Sequence, residues 1–81
     1  MIIVNNRRHV RIPTNKPAII TKGMTQIACI IRDLSEGGAG LSVASANDVP
    51  EHFVLTVQGE DEGRACTVRW RETTRLGVSF D

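Results

Sequence analysis

Tyrosine is absent from this 81-residue chain, and its aromatic rings are one tryptophan and two phenylalanines. Proteins that hold single-stranded nucleic acid stack successive bases on exposed rings, and this chain has few to offer. Cysteine is nearly as scarce. Cys29 and Cys66 stand far apart in apolar runs, and His9 and His52 are isolated, so the paired spacing of a structural zinc site is missing. These four residues read as two core thiols and two surface imidazoles, with no metal. Long apolar runs are missing too. The longest, residues 27–31, falls far below the roughly 20 residues a membrane-spanning helix needs, and no N-terminal leader pattern is present. These absences predict a reduced, cytoplasmic protein without membrane insertion. The motifs of catalysis are also lacking. Ser35 sits in Leu34-Ser35-Glu36 rather than a Gly-x-Ser-x-Gly elbow, and Gly37-Gly38-Ala39-Gly40 is not followed by the Lys-Ser/Thr of a phosphate-binding loop. No enzyme is expected, and no cofactor.

Acid is absent from the first third. Residues 1–32 carry six cations (Arg7, Arg8, Arg11, Lys16, Lys22 and Arg32) and no carboxylate, whereas residues 33–81 carry four arginines against nine acids. Such asymmetry fits either an anionic ligand near the basic end or a basic arm docked on the protein's own acids, and charge alone does not choose.

What is present in quantity is alternation. Ile27, Cys29 and Ile31 alternate with Ala28, Ile30 and Arg32, and the same period of two recurs in Ala39–Val43, Phe53–Gln58, Cys66–Arg71 and Leu76–Phe80. With Ala18–Thr21 these make six short strands separated by turn-forming clusters, and no internal repeat stands out. At this length closure is favoured over an open sheet with exposed edges, which predicts an all-β, six-stranded antiparallel barrel. Ser45–Glu51 has room for one helical turn. The expected organisation is one domain over 1–81, with a flexible basic arm at 1–12 and the barrel at 17–81. Alternation sets Trp70 on the face of Cys66 and Val68, which reads as core.

Two constellations carry chemistry. Arg7-Arg8-His9-Val10-Arg11 places three guanidinium groups within five residues, each able to pair by two parallel hydrogen bonds with phosphate or with the O6/N7 edge of guanine. Asp33-Leu34-Ser35-Glu36-Gly37-Gly38 offers an acceptor-only carboxylate suited to guanine's N1–H and exocyclic amine. Ser35 is a small donor or acceptor, and Gly38 permits positive φ and close approach of a flat base. Each motif alone has a plainer reading, as a solvated tail and as a self-capped turn.

Taken jointly, Arg-Arg-x-x-Arg followed by Asp-x-Ser-x-x-Gly within six short strands resembles the PilZ domain family, bacterial receptors for cyclic di-GMP. The likeness extends to Thr67-Val68-Arg69-Trp70 and Leu76-Gly77-Val78-Ser79-Phe80, similar to the family's last two strands. The resemblance implies that Arg7, Arg8 and Arg11 clamp the phosphates and the Hoogsteen edge of a guanine. It implies that Asp33, Ser35 and Gly38 wrap a guanine from the barrel surface, and it sets Trp70 where some relatives stack a ring near a base. Many relatives continue into a helix beyond the last strand, where this sequence has Asp81. The implied partners are cyclic di-GMP and a downstream protein. The rivals are a PilZ-like protein-contacting adaptor that ignores the nucleotide, and a small OB-like barrel that binds nucleic acid. Replacing Arg71, outside both motifs, is expected to do little to ligand binding.

Overall fold

The computed structural model describes residues 11–81, and the period-two stretches are strands there. They are β1 (Ile12–Lys22), β2 (Thr25–Leu34), β3 (Gly38–Ser42), β4 (His52–Val57), β5 (Arg64–Arg71) and β6 (Arg75–Phe80). One 3₁₀ turn, Ala46–Asp48, lies between β3 and β4, within the stretch where a helical turn was expected. Every pairing is antiparallel, and the sheet closes in the order β1-β2-β3-β6-β5-β4. Closure uses up both sheet edges.

Six strands enclose room for side chains and little else. Ile20, Ile31, Leu41, Cys66 and Leu76 are fully buried, and no polar side chain is buried with them among the described residues. Ala46 and Val49, in and beside the 3₁₀ turn, join the same core. The β1–β2 hairpin turns at Gly23, whose φ of 60° suits glycine at the first position of a two-residue loop. Among the described residues no helix is long and apolar enough to cross a membrane.

The ladder slips in three places: between Pro13 and Lys16 in β1, between Ile31 and Asp33 in β2, and between Val68 and Trp70 in β5. In β2 and β5 two steps along the strand face a single step on the partner, the mark of a bulge. A bulge reverses the inside–outside parity of every residue beyond it. This corrects the sequence reading of Trp70. Cys66 points inward, but past the bulge at Arg69 the indole turns outward and is 45% exposed. Of the three aromatic residues only Phe53 lies deep in the core, with Phe80 packed partly against it.

The expectation of no repeat also needs correction. Ala28-Cys29-x-x-Arg32 with Gly40-x-Ser42 recurs at the same spacing as Ala65-Cys66-x-x-Arg69 with Gly77-x-Ser79, so hairpin β2–β3 matches hairpin β5–β6. Both bulge at the shared arginine, and Gly40 pairs with its counterpart Gly77 across β3 and β6. The hairpins are thus related by a pseudo-twofold axis through the glycine pair. The repeat hides in the sequence because the residue after each arginine differs completely, Asp33 in one and Trp70 in the other.

Candidate functional site

Asp33 would fall on the buried face if β2 kept its alternation from Ile31. An unpaired carboxylate inside an apolar barrel is very costly, and the bulge at Arg32 removes that cost by turning Asp33 outward. Arg32 secures the irregular stretch from both sides. Its Nε donates to Ser42 Oγ at 2.9 Å and its Nη1 to Asn15 Oδ1 at 2.6 Å, tying β3 and β1 to β2. Thr14 Oγ1 donates to the Ile31 carbonyl at 2.5 Å where the β1 register slips.

The Asp33 carboxylate does not stand free. Arg11, the last arginine of the basic motif, donates from Nη1 to Asp33 Oδ1 in a salt bridge, with the guanidinium more than half exposed and the carboxylate about a quarter exposed. Pro13 lies opposite Asp33 in the β1–β2 ladder, so the first strand delivers the chain from the basic motif directly to the second motif. The structure therefore brings Arg11 and Asp33 together. Arg7 and Arg8 lie outside the described residues.

The rest of the second motif folds onto itself. The Ser35 amide donates to the Gly38 carbonyl at 2.9 Å and the Ser35 hydroxyl to the same oxygen at 3.2 Å. Having committed its proton, the hydroxyl has lone pairs left to offer, an acceptor rather than the donor-or-acceptor expected. Gly38 departs from expectation as well. Its φ is not positive and it is buried. A β-carbon there would come within 2.1 Å of the Val78 carbonyl oxygen, so the neighbouring strand's backbone by itself requires glycine.

Across the sheet from Asp33 lies a row that sequence reasoning did not assemble: Asp33 opposite Gly40, Gly40 opposite Gly77, Gly77 opposite Trp70. A β-carbon on Gly40 would meet Asp33 Oδ2 at 2.6 Å, and one on Gly77 would meet Trp70 Nε1 at 2.1 Å. Each glycine thus lets its neighbour's side chain lie down on the sheet. Two lone glycines inside strand patterns were the available signal, since such glycines mark bulges or close approach. At roughly 4.8 Å per strand, three steps carry this row about 14 Å along the curved outer wall from β2 to β5, halfway round the six-stranded barrel. Beside the indole a hollow of about 330 Å³ opens, lined by Glu51, Val68, Arg69, Trp70 and Arg71.

Residues away from this face have settled roles. Cys29 and Cys66 are free thiols sealed in the core, and burial pushes both up to about 11. His52 is exposed and shares a hydrogen bond with Thr67. Arg71 has a structural role: its Nη1 donates to the carbonyls of Ala46 and Val49 at 2.5 and 2.7 Å, pinning the 3₁₀ turn to β5.

Residues 5–81 match the family model described as PilZ domain. No curated protein matches the chain.

Proposed function

This chain belongs to the PilZ domain family, and from that premise we propose that it is a cytoplasmic receptor for cyclic di-GMP that signals by conformation, without catalysis. The observation that carries the reading is the Arg11–Asp33 salt bridge, which joins the end of the basic motif to the head of the second motif. Guanine seats against Asp33, whose carboxylate accepts from N1–H and the exocyclic amine, with Ser35 Oγ as a further acceptor. Arg11 then exchanges its carboxylate partner for a phosphate of the ligand, one charge-assisted pair for another. Arg7 and Arg8 supply the remaining phosphate contacts and the Hoogsteen edge, and Trp70 offers a ring face. The ligand changes the conformation of the segment 1–12, and that change is the signal to a partner protein.

A single exposed tryptophan is a poor platform for a single strand of nucleic acid, which argues against the OB-like alternative. Calorimetric titration of cyclic di-GMP, cyclic di-AMP and GTP into the wild type and Arg8→Ala tests the proposal. Preference for cyclic di-GMP is expected, with a loss of about tenfold or more in the variant, the worth of one bidentate base contact. Equal affinity for all three ligands, or an unmoved variant, removes the site. A folded chain with no response to any of them would be an adaptor that contacts protein alone.

A further inference from the structure

The proposed ligand face occupies β2, β3, β6 and β5, and the other wall of the barrel carries a second hollow. It is about 530 Å³ in volume and lies on the outside of β2, β1 and β4, among Ile19, Ala28, Ile30 and Thr56. Ile19 stands opposite Ala28 on one neighbouring strand and Thr56 on the other, so two short side chains flank a long one. Apolar surface is left uncovered on this wall. Of the five large apolar residues exposed among the described residues, Ile12, Ile19, Met24 and Val54 lie on β1, its turn or β4, and only Trp70 lies elsewhere. Exposed aliphatic groups gathered on one wall mark a surface that something covers.

Charge and order along the chain indicate what covers it. No cation lines the hollow. Its end nearest Ile12 is bounded by the β4–β5 turn, where the Gln58 amide donates to the Pro17 carbonyl at 2.9 Å and Glu60, Asp61 and Glu62 follow. Gly63 lets that turn lie against the wall, since a β-carbon there would meet Val54 Cγ1 at 2.3 Å. None of the three acids has an ion-pair partner among the described residues. Along β1 from Ile12 the wall is thus acidic at Pro17 and apolar at Ile19. The sequence before Ile12, taken outward from it, has the same order in complementary chemistry: Arg8 and Arg7, then Asn6 and Asn5, then Val4, Ile3 and Ile2. The lengths agree as well. Pro17 and Ile19 lie about 17 and 23 Å along β1 from Ile12, and the chain from Ile12 back to Arg7 and Ile3 reaches about 17 and 30 Å when extended.

We propose that the hollow on β2, β1 and β4 is the seat of this chain's own Ile2, Ile3 and Val4, with Arg7 and Arg8 set against Glu60, Asp61 and Glu62. The segment that the ligand moves thus has a definite resting place in the free chain. On so short a tether it acts at an effective concentration of about millimolar, so three aliphatic side chains suffice to hold it. Exposed ion pairs hold little by themselves, and here they set the direction in which the segment lies. A doubly anionic ligand draws Arg7 and Arg8 toward Asp33 and so uncovers the wall for a partner protein. That last step, unlike the docking, rests on the receptor reading above.

Solution NMR on the full chain, free and with cyclic di-GMP, tests this. In the free chain the methyl groups of Ile2, Ile3 and Val4 should show nuclear Overhauser contacts to Ile19, Ala28 and Ile30, with none between molecules in a mixed labelled and unlabelled sample. Absence of these contacts overturns the inference, and contacts found only between molecules overturn it in favour of a second copy. Ile2→Asn/Ile3→Asn should move the amide resonances of Ile19, Ala28 and Ile30 and leave those of Gly40 and Gly77 in place. The same variant should bind cyclic di-GMP about threefold or more tighter, because no docked state competes. Saturating ligand should carry the wild-type resonances to the variant's positions, and methyl contacts that persist with ligand bound would overturn the uncovering. If the contacts are present and cyclic di-GMP does not bind at all, the docking stands and the receptor reading falls.

Discussion

Hairpins β2–β3 and β5–β6 share a bulge, an arginine–serine tether and a glycine, yet they differ at the positions flanking the turn, and those differences divide the labour. In β2–β3 the turn closes tightly on Gly38, whose α-carbon lies against the β6 backbone. In β5–β6 the counterpart position is Arg75, a full side chain exposed to solvent. Where β2–β3 has the half-buried Leu34, β5–β6 has Arg71, which reaches away to hold the 3₁₀ turn. A common backbone device thus carries a carboxylate and a self-bonded turn on one side, and a ring and a structural guanidinium on the other. The lesson is that the bulge–glycine unit positions whatever residue follows its arginine.

The sharpest way to break the comparison is at the turns. Gly38→Ala forces a methyl group against a carbonyl that belongs to a paired strand and cannot swing aside, and should cost about 3 kcal/mol. Arg75→Ala, at the counterpart position, should change stability by no more than about 0.5 kcal/mol. Urea unfolding of the two variants measures this, and equal costs would mean that the close approach is not peculiar to the first hairpin.

How much of this was readable beforehand follows from where parity holds. The six strands and the closed barrel were legible because most strands keep their alternation, and the core residues Ile31, Leu41 and Leu76 lie on the faces that alternation assigns. Trp70 was misread because a single inserted residue inverts a strand's faces without changing its composition. Asp33 gave more warning, since a carboxylate two places beyond Ile31 on an inward face is untenable without a partner. That Gly38 serves packing was not visible, because the close contact comes from β6, three strands later in the chain.

The hairpins should agree where their cores agree. Cys29 and Cys66 are counterparts, and both thiols are raised from the ordinary value of 9 to about 11, first by burial. Since the folded value lies above the unfolded one, the thiols' contribution is complete below pH 9 and is lost as pH rises toward 11. The loss is up to about 1.4 kcal/mol per pH unit for each thiol. With no tyrosine to titrate in that window, urea midpoints at pH 8.5 and about pH 10 should fall for the wild type and stay nearly level for Cys29→Ala/Cys66→Ala. Parallel decline in the two proteins would assign the alkaline loss to other groups.

Arg71 sharpens the contrast further. Its guanidinium serves two carbonyls of the 3₁₀ segment, and a charged donor to such acceptors is worth about 2 kcal/mol. Arg71→Ala should therefore lower stability by about that much while leaving cyclic di-GMP affinity within about twofold when measured well below the melting temperature. Leu34, at the matching position, contributes by apolar packing, so Leu34→Ala should lower the urea midpoint with the slope unchanged. Affinity that fell with Arg71→Ala in a fully folded sample would move this residue from scaffold to site.

The smallest effect separates the two tethers. Arg32 bonds Ser42 and also Asn15, holding three strands at the root of the basic segment, whereas Arg69 Nε bonds Ser79 alone. Both are surface hydrogen bonds, so each replacement by alanine should cost no more than about 1 kcal/mol, with Arg32→Ala the larger. The informative readout is local. If Arg32 fixes the register slip that lets Arg11 meet Asp33, hydrogen exchange at the Ile31 and Asp33 amides should speed up in Arg32→Ala and stay unchanged in Arg69→Ala. Equal exchange in both variants would show that the slip at Pro13–Lys16 is held by the Thr14–Ile31 bond, and that the two tethers are interchangeable after all.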